Sequence, residues 1–293
     1  MFEIILYYKY TPLSDAKELV EAQRVLCEKL DLKGRILIAD EGINGTLEGT
    51  KENIAEYCRV LMSDSRFADI NIKRSEGTGK AFPKLKVKYR SEIVSGHLES
   101  EDVKPWETTG KYLSADELNK WIEKGEDFVI VDMRNDYEYK IGHFENSINP
   151  GMENFRDLKK IVDGLESLQT KKVVTVCTGG VRCEKASGYL ITKGFQDVYQ
   201  LENGIVTYME KYPNKAFKGK LYVFDDRVSM DFDTPDNHTV VGKCDLCESP
   251  TENFVNCKNK QCNKHFLICD ACNEKDGLFC SEGCKEKVVV LTA

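Results

Sequence analysis

The chain has 293 residues, a formal net charge of −7, and the apolar (41%) and charged (31%) fractions of a folded globular protein. This length predicts two or three domains rather than one. The net negative charge by itself disfavours nucleic acid as a partner. No run of 18 apolar residues predicts a membrane span, and the first residues do not resemble a signal peptide. We therefore expect a cytoplasmic protein with no membrane partner.

Residues 1–95 alternate strand and helix patterns. Apolar, β-rich stretches predict strands at 2–8, within 34–49, at 69–75 and at 83–90. Helical periodicity begins after Ser14 and returns at 54–61. The order β-α-β-β-α-β is typical of a ferredoxin-like, or acylphosphatase-like, α+β domain. Small sheets of this kind serve many functions, so the fold alone predicts none.

A polar stretch at 96–113 predicts a linker, and a second unit follows at 114–215. Buried-type strands at 128–134 and 171–177 alternate with helices, which predicts an α/β domain with a mostly parallel sheet. Ligands of such sheets bind beyond the carboxyl ends of the strands. Asp132, Arg134 and Cys177 lie at those ends. Residues 216–241 form a connecting segment.

The last segment, 242–293, is rich in cysteine. Without a secretory signal, such a cluster favours metal binding over disulfides. Four closely spaced cysteine pairs suit two tetrahedral zinc ions, and we favour an interleaved arrangement in which pairs one and three share one ion. A segment this short and polar needs metal to fold. The predicted ligands are Cys244, Cys247, Cys257, Cys262, Cys269, Cys272, Cys280 and Cys284.

The loop after the strand 171–177 predicts a reactive thiol. Cys177 ends the strand, two glycines follow, and a helical pattern starts near Arg182. Backbone N–H groups, the helix dipole and the arginine all favour thiolate over thiol at such a position. We therefore predict that Cys177 is a nucleophile assisted by Arg182. The supporting positions are Thr178, Gly179, Gly180, Val181, Cys183, Asp132 and Arg134.

The Cys-x4-Arg spacing resembles the active-site loop of rhodanese-type sulfurtransferases. The stretches "VDMRNDYEYKIGHFENSIN" and "GFQDVYQLENGI" resemble other rhodanese motifs. Over nearly its whole length the chain resembles the bacterial rhodanese-domain tRNA uridine hydroxylases. Residues 34–46, 82–97, 177–187 and 223–228 carry that match, together with the cysteine-rich segment.

This resemblance implies an enzyme that hydroxylates the wobble uridine of tRNA to 5-hydroxyuridine, with molecular oxygen as co-substrate and Cys177 as the essential residue. The partner would be the tRNA anticodon loop, and no obligate protein partner is evident. No flavin or nucleotide motif is present. A basic stretch would contact RNA. Its candidate residues are Lys73, Arg74, Lys80, Lys84, Lys86, Lys88 and Arg90.

Two mechanisms fit this reaction. In one, Cys177 adds to uracil C6, and Arg182 with loop N–H groups holds O4 while C5 captures an oxygen-derived species. In the other, Cys177 carries the oxidising atom as a persulfide or sulfenic acid, and Cys183 resolves it. Asp132 and Arg134 would order the loop.

Two other functions remain open at this point. The loop alone predicts a sulfurtransferase equally well, with a persulfide on Cys177. A zinc- and RNA-binding adaptor with an inactive rhodanese fold is the second alternative, although the presence of both Cys177 and Arg182 counts against it.

Overall fold

The computed structural model describes residues 1–232, 238–275 and 279–292. Residues 233–237 of the predicted connecting segment, and 276–278 and 293 of the cysteine-rich segment, lie outside the described residues. Within the described ranges, no helix has the length and apolar character needed to cross a membrane.

The N-terminal domain is a five-stranded sheet covered by two helices on one face. The strand order is β4-β1-β3-β2-β5, in which β5 runs parallel to β2 and the other neighbours are antiparallel. The helices and the inner face of the sheet share one apolar core. This arrangement confirms the predicted α+β domain, with β5 as an added edge strand. The elements are β1 (Phe2–Tyr10), α1 (Ala16–Lys29), β2 (Lys33–Ala39), β3 (Gly42–Thr50), α2 (Lys51–Ser63), β4 (Ile72–Gly77) and β5 (Leu85–Tyr89).

The second domain is a parallel sheet with helices on both faces, as predicted. Its strand order is β6-β10-β9-β7, and separate apolar cores fill the two sides. The elements are β6 (Lys111–Leu113), α3 (Ala115–Lys124), β7 (Val129–Asp132), α4 (Asp136–Ile141), β8 (Gly142–Phe144), α5 (Leu158–Asp163), β9 (Lys172–Val176), α6 (Val181–Thr192), β10 (Asp197–Leu201) and α7 (Gly204–Lys211).

The two segments expected to be simple connections also contribute to the second domain. Within 96–113, Leu98 and Val103 are buried in its core, and β6 forms the edge of its sheet. Within 216–241, Leu221 is fully buried in the core on the other face. Both stretches are polar in average composition, so the few apolar side chains that anchor them do not stand out in the sequence. The domain boundaries themselves stay a prediction.

The cysteine-rich segment packs against α4 of the second domain. Lys140 of that helix pairs with Asp245 at 2.9 Å. The ring of His265 stacks on Phe254 and meets the edge of Tyr137 at the start of α4. The remaining elements are β11 (Phe217–Gly219), β12 (Leu221–Tyr222), β13 (Ser229–Met230), β14 (Phe254–Asn256), β15 (His265–Leu267), α8 (Asp270–Lys275) and α9 (Glu282–Thr292).

A buried lysine joins the first two domains. The Nζ atom of Lys185, on α6, lies 2.8 Å from Glu41 in the β2–β3 turn. It also lies 3.4 Å from Glu92, which follows β5, and 2.9 Å from Asp102 in the segment 96–113. The side chain of Lys185 is fully buried, and its charge is balanced by carboxylates from the N-terminal domain and from the segment 96–113. This cluster fixes the orientation of the N-terminal sheet over α6.

We expect Lys185→Ala to destabilise the protein strongly, because three carboxylates would then repel one another with no cation between them. The free energy of unfolding should fall by about 3 kcal/mol. This is the lower end of the range for a broken buried ion pair, because the carboxylates are partly exposed. Urea unfolding followed by circular dichroism measures this loss. The matched control is Lys171→Ala, whose exposed pair with Asp127 should contribute less than about 1 kcal/mol. Equal effects of the two substitutions would contradict the assignment.

Candidate active site

The cysteine loop connects β9 to α6. Cys177 follows β9, and α6 begins at Val181 with Gly180 in the left-handed conformation at φ +103°. This curl directs the Gly180 N–H toward the Cys177 sulfur, at 3.2 Å. The sulfur is fully buried at the start of the helix, where the helix dipole favours a negative charge. The loop therefore has the conformation that the sequence predicts, with a backbone N–H directed at the sulfur.

The surroundings favour the ionised form of Cys177. Burial raises its pKa, but a hydrogen bond from the Cys183 thiol, the charge of Arg182 and backbone N–H groups together lower the pKa to about 6. Burial and the neighbouring thiolate raise the pKa of Cys183 well above its ordinary value. These shifts favour a thiolate at Cys177 and a neutral thiol at Cys183.

Arg182 is engaged by a carboxylate that the sequence did not single out. Its two terminal nitrogens donate to the carboxylate of Glu138, at 2.6 and 2.9 Å, and one of them also donates to Thr178 Oγ1 at 3.2 Å. Burial raises the pKa of Glu138, but Arg182 outweighs it and keeps the carboxyl ionised. We expected Arg182 to hold a substrate oxygen. The structure instead places its guanidinium in a bidentate pair beside the thiolate.

A second buried ion pair supports the helix that carries Glu138. Arg134 pairs with Asp132 at 2.6 Å, and both side chains are fully buried. Arg134 also donates to the Gly142 carbonyl at 2.7 Å, which holds the end of α4. These contacts connect Asp132 and Arg134 to Glu138 through α4, and their ordering role stays a prediction.

Strand β1 of the N-terminal domain lies directly on the cysteine loop. A Cβ atom added at Gly180 would meet the Tyr8 hydroxyl at 2.6 Å, and one at Gly179 would meet Leu6 at 2.9 Å. The Tyr8 hydroxyl also donates to Glu184 on α6, at 3.1 Å. Backbone conformation favours glycine at position 180, and the side chains of the strand above leave little room for a Cβ atom at either position.

A cavity of about 530 Å³ lies between the sheet and the loop, within the size range of ligand sites. Cys177, Thr178 and Arg182 form its floor, and Phe155 of the second domain closes one side. The outer face of the N-terminal sheet covers it. The lining residues from that sheet are Leu6, Tyr8, Arg35, Leu37, Asn44 and Thr46. Arg156 and Phe224 lie exposed at the rim. Phe224 is 49% exposed.

The basic stretch does not form one stripe. Its two strands, β4 and β5, are the opposite edges of the N-terminal sheet. Lys86 and Lys88 are exposed and pair in register with Arg35 and Leu37, which line the cavity. Arg74 pairs with Glu3 at 2.5 Å, and Lys73 is buried. The remaining candidates, Lys80, Lys84 and Arg90, are exposed.

The eight cysteines of the last segment form two groups in the interleaved arrangement. Within each group the sulfur atoms lie within 4.8 Å of one another. Sulfur separations such as 3.5 Å between Cys247 and Cys269 are far longer than a disulfide bond of about 2.05 Å. Each group can hold a metal ion. The groups are Cys244, Cys247, Cys269 and Cys272, and Cys257, Cys262, Cys280 and Cys284.

Comparison with known proteins covers almost the whole chain. Family models match an acylphosphatase-like domain ("UPF0176 acylphosphatase like domain") at 2–93, a rhodanese-like domain at 114–211 and a "Rhodanase C-terminal" region at 218–285. The tRNA uridine(34) hydroxylase of Staphylococcus carnosus is 43% identical over 97% of this chain and 89% of that protein. That of Staphylococcus aureus strain MRSA252 is 45% identical with the same coverage. The chain belongs to the tRNA uridine(34) hydroxylase family. This confirms the resemblance found in the sequence.

Solved structures that resemble this hydroxylase-family chain cover about a third of it. A rhodanese-like domain from Anabaena sp. is 22% identical, covers 38% of this chain and 80% of that one, and has a TM-score of 0.32. A rhodanese-like domain protein from Staphylococcus aureus is 29% identical, covers 33% of this chain and 90% of that one, and has a TM-score of 0.29.

Two site residues of this hydroxylase-family chain escaped the sequence analysis. Glu138 lies on a short helix of charged and aromatic residues, and this composition is typical of a solvent-exposed helix. The only signal was its place in the rhodanese-like motif "YEYKIGHF". Tyr8 lies in a strand whose two faces both carry large side chains, so alternation does not distinguish the face that meets the loop.

The pKa of Cys177 predicts how its alkylation depends on pH. Since only the thiolate reacts, the rate with iodoacetamide should be constant above pH 7 and fall about tenfold per unit below pH 6. Mass spectrometry of the peptide that contains Cys177 measures this rate. Cys183, whose pKa is raised, should stay unmodified and serves as the internal control.

The double variant Glu138→Gln with Arg182→Met removes both charges of the pair. It should move the midpoint of the pH dependence of alkylation upward. A midpoint near 9 in the wild type would contradict the thiolate.

Proposed function

We propose that this protein is a cytoplasmic enzyme that hydroxylates the wobble uridine of tRNA at C5, with Cys177 as nucleophile and molecular oxygen as co-substrate. The observation that carries the proposal is the buried Cys177 thiolate facing a cavity of about 530 Å³, in a chain related to tRNA uridine(34) hydroxylases over 97% of its length.

The reaction begins with addition of the Cys177 sulfur to uracil C6. The C–S bond forms, and the electron pair of the C5–C6 double bond moves toward C5 and O4. Arg182 serves this step by stabilising the thiolate before attack, while Glu138 holds the guanidinium in place. After C5 has gained its oxygen, loss of the C5 proton expels the thiolate and restores the pyrimidine. Cysteine therefore acts as a covalent catalyst and is regenerated.

The cavity and its rim suit a base that has left the stack of the anticodon loop. The exposed ring of Phe224 lies at the rim, with the Arg182 guanidinium 5.8 Å from its centroid, and offers a surface for stacking. Arg35 and Arg156, on opposite walls of the cavity, would receive the flanking phosphates. Lys86 and Lys88 extend the same positive face away from the cavity.

The first test is mass spectrometry of tRNA nucleosides from cells that lack the protein and then carry the wild type or Cys177→Ser. The wild type should restore 5-hydroxyuridine in an aerated culture and Cys177→Ser should not, because an alcohol at this position is not ionised. Lys171→Ala provides a matched control on the far surface. If a thiolated nucleoside changes instead, the protein is a sulfurtransferase; if no nucleoside changes, it is an adaptor.

We further propose that each group of four cysteines holds one structural zinc ion. Four thiolates at this spacing complete a tetrahedral site and leave no open position for chemistry. Because both groups draw ligands from distant parts of the segment, the ions would tie its loops together. The segment packs on α4, which carries Glu138, so its folding supports the active site from outside.

Metal analysis by plasma mass spectrometry should find two zinc ions in the purified chain. Cys247→Ser and Cys262→Ser each remove one ligand from a different group and should each lower the content to about one ion. Cys58→Ser, in the core of the N-terminal domain, should leave both ions in place. Retention of two ions by both ligand variants would contradict the assignment.

A further inference from the structure

A second, smaller cavity of about 70 Å³ lies beside the cavity of about 530 Å³ that borders Cys177, which we call the catalytic cavity. The two share lining residues: Leu6, Thr46, Thr178 and Phe224 border both. Apolar side chains such as Ile4, Val206, Leu221 and Met230 line much of the remainder. Charged side chains border it as well: Lys73, Arg74, Glu210, Asp225 and Arg227. Thr178 is the residue directly after Cys177, so the small cavity adjoins the loop at its reactive end.

One lysine lines this cavity. Lys73 of β4 stands opposite Leu6 of β1 in the sheet and shares its face toward the second domain. Its side chain is 8% exposed, and its Nζ atom is buried without a hydrogen-bond partner in the part of the chain that the structure describes. The ring of Tyr8, which covers the cysteine loop, lies 5.5 Å from the ammonium.

Burying an ammonium without a hydrogen-bond partner costs free energy. The position of Lys73 therefore favours a ligand that becomes negatively charged during the reaction. The charged residues near the cavity do not supply one at close range. Of the other charged residues that line the cavity, Arg227 is paired with Asp225, Arg74 is paired with Glu3, and Glu210 is exposed at the cavity edge. Burial lowers the pKa of Lys73 to about 8, while Cys177 and Glu210 oppose this shift. The cation therefore predominates at pH 7 and yields its proton more readily than a surface lysine.

The ligand has to suit apolar walls when it enters and a cation when it reacts. A phosphate or carboxylate is disfavoured, because much of the lining is apolar and the other two cations of the cavity, Arg74 and Arg227, are already paired with Glu3 and Asp225. Dioxygen meets both conditions, since it is small, apolar and uncharged, and gains negative charge as it accepts electrons. The large cavity next to it receives the uracil in the proposed function.

We propose that this cavity is the dioxygen site of the enzyme, and that the Lys73 ammonium stabilises the peroxide that forms when the C5 carbanion attacks. The C5 electron pair forms a bond to one oxygen atom, the O–O bond stays intact, and the far oxygen takes the negative charge. Lys73 then transfers a proton to give a C5 hydroperoxide. Two thiol equivalents from a cellular dithiol reduce it to the C5 alcohol and water and are oxidised to a disulfide.

This inference rests on the proposed function, and its test separates the two. Cells that lack the protein carry wild type, Lys73→Met or Val223→Phe, and 5-hydroxyuridine in tRNA is measured across a series of oxygen pressures. Methionine keeps the length of the side chain without its charge, and phenylalanine at the half-buried Val223 fills the cavity. The oxygen pressure for half-maximal modification should rise about tenfold or more in both variants.

Lys171→Met, at an exposed lysine that lines neither cavity, is the matched control and should keep the oxygen dependence of the wild type. Lys73→Arg, which keeps the positive charge, should have an oxygen dependence close to that of the wild type. Normal oxygen dependence in Lys73→Met would overturn the dioxygen site while leaving the hydroxylase intact. Absence of 5-hydroxyuridine in the wild type at every pressure would refute the proposed function itself.

A second measurement does not depend on activity. Crystals of the wild type under xenon pressure should show xenon in the small cavity, as dry apolar cavities do. Ordered water hydrogen-bonded to Lys73 in that place, with no xenon, would overturn the proposal.

Discussion

The contact between strand β1 and the glycines of the cysteine loop is the constraint on which the active site depends. Tyr8 and Leu6 lie where any larger loop residue would have its Cβ atom. This contact buries the Cys177 sulfur and sets the height of the catalytic cavity. It also places the outer face of the N-terminal sheet opposite the loop. A rhodanese-like domain alone would present the same loop to solvent.

Burial would normally suppress a thiolate, and the charges around the loop reverse that effect. Arg182 supplies the positive charge, and Glu138 both holds it and keeps the overall charge of the buried site low. Asp132 and Arg134 position the helix that carries Glu138, although neither lines the catalytic cavity. Electrostatic stabilisation is thus built up in layers, from the sulfur outward to the core of the second domain.

Local patterns in the sequence predicted much of this structure. A strand that ends in Cys177, two glycines and a helix form a local unit, so spacing was enough to predict the thiolate loop. The cysteine pairs were equally informative, because the short spacing within each pair restricts how the pairs share metal ions. The sheets followed from hydrophobic periodicity and the order of elements.

What remained hidden depends on contacts between domains. Lys73 belongs to a basic stretch that reads as a solvated surface, and only the docking of the second domain buries it. Lys185 looks like an ordinary helix residue until carboxylates from two other segments surround it. Hydrophobic periodicity along the sequence indicates which side chains share one face of an element, but not which domain that face contacts. Functional groups at a domain boundary are therefore the ones that sequence reasoning misses.

The order of the elements along the chain has a consequence for protein synthesis. The sheet that covers the loop is encoded by residues 2–89, and the loop itself follows 88 residues after the last strand of that sheet. Because N-terminal domains fold first during translation, the cover exists before the acidic thiol leaves the ribosome. The nascent cysteine is thereby sheltered from oxidants as soon as it ionises.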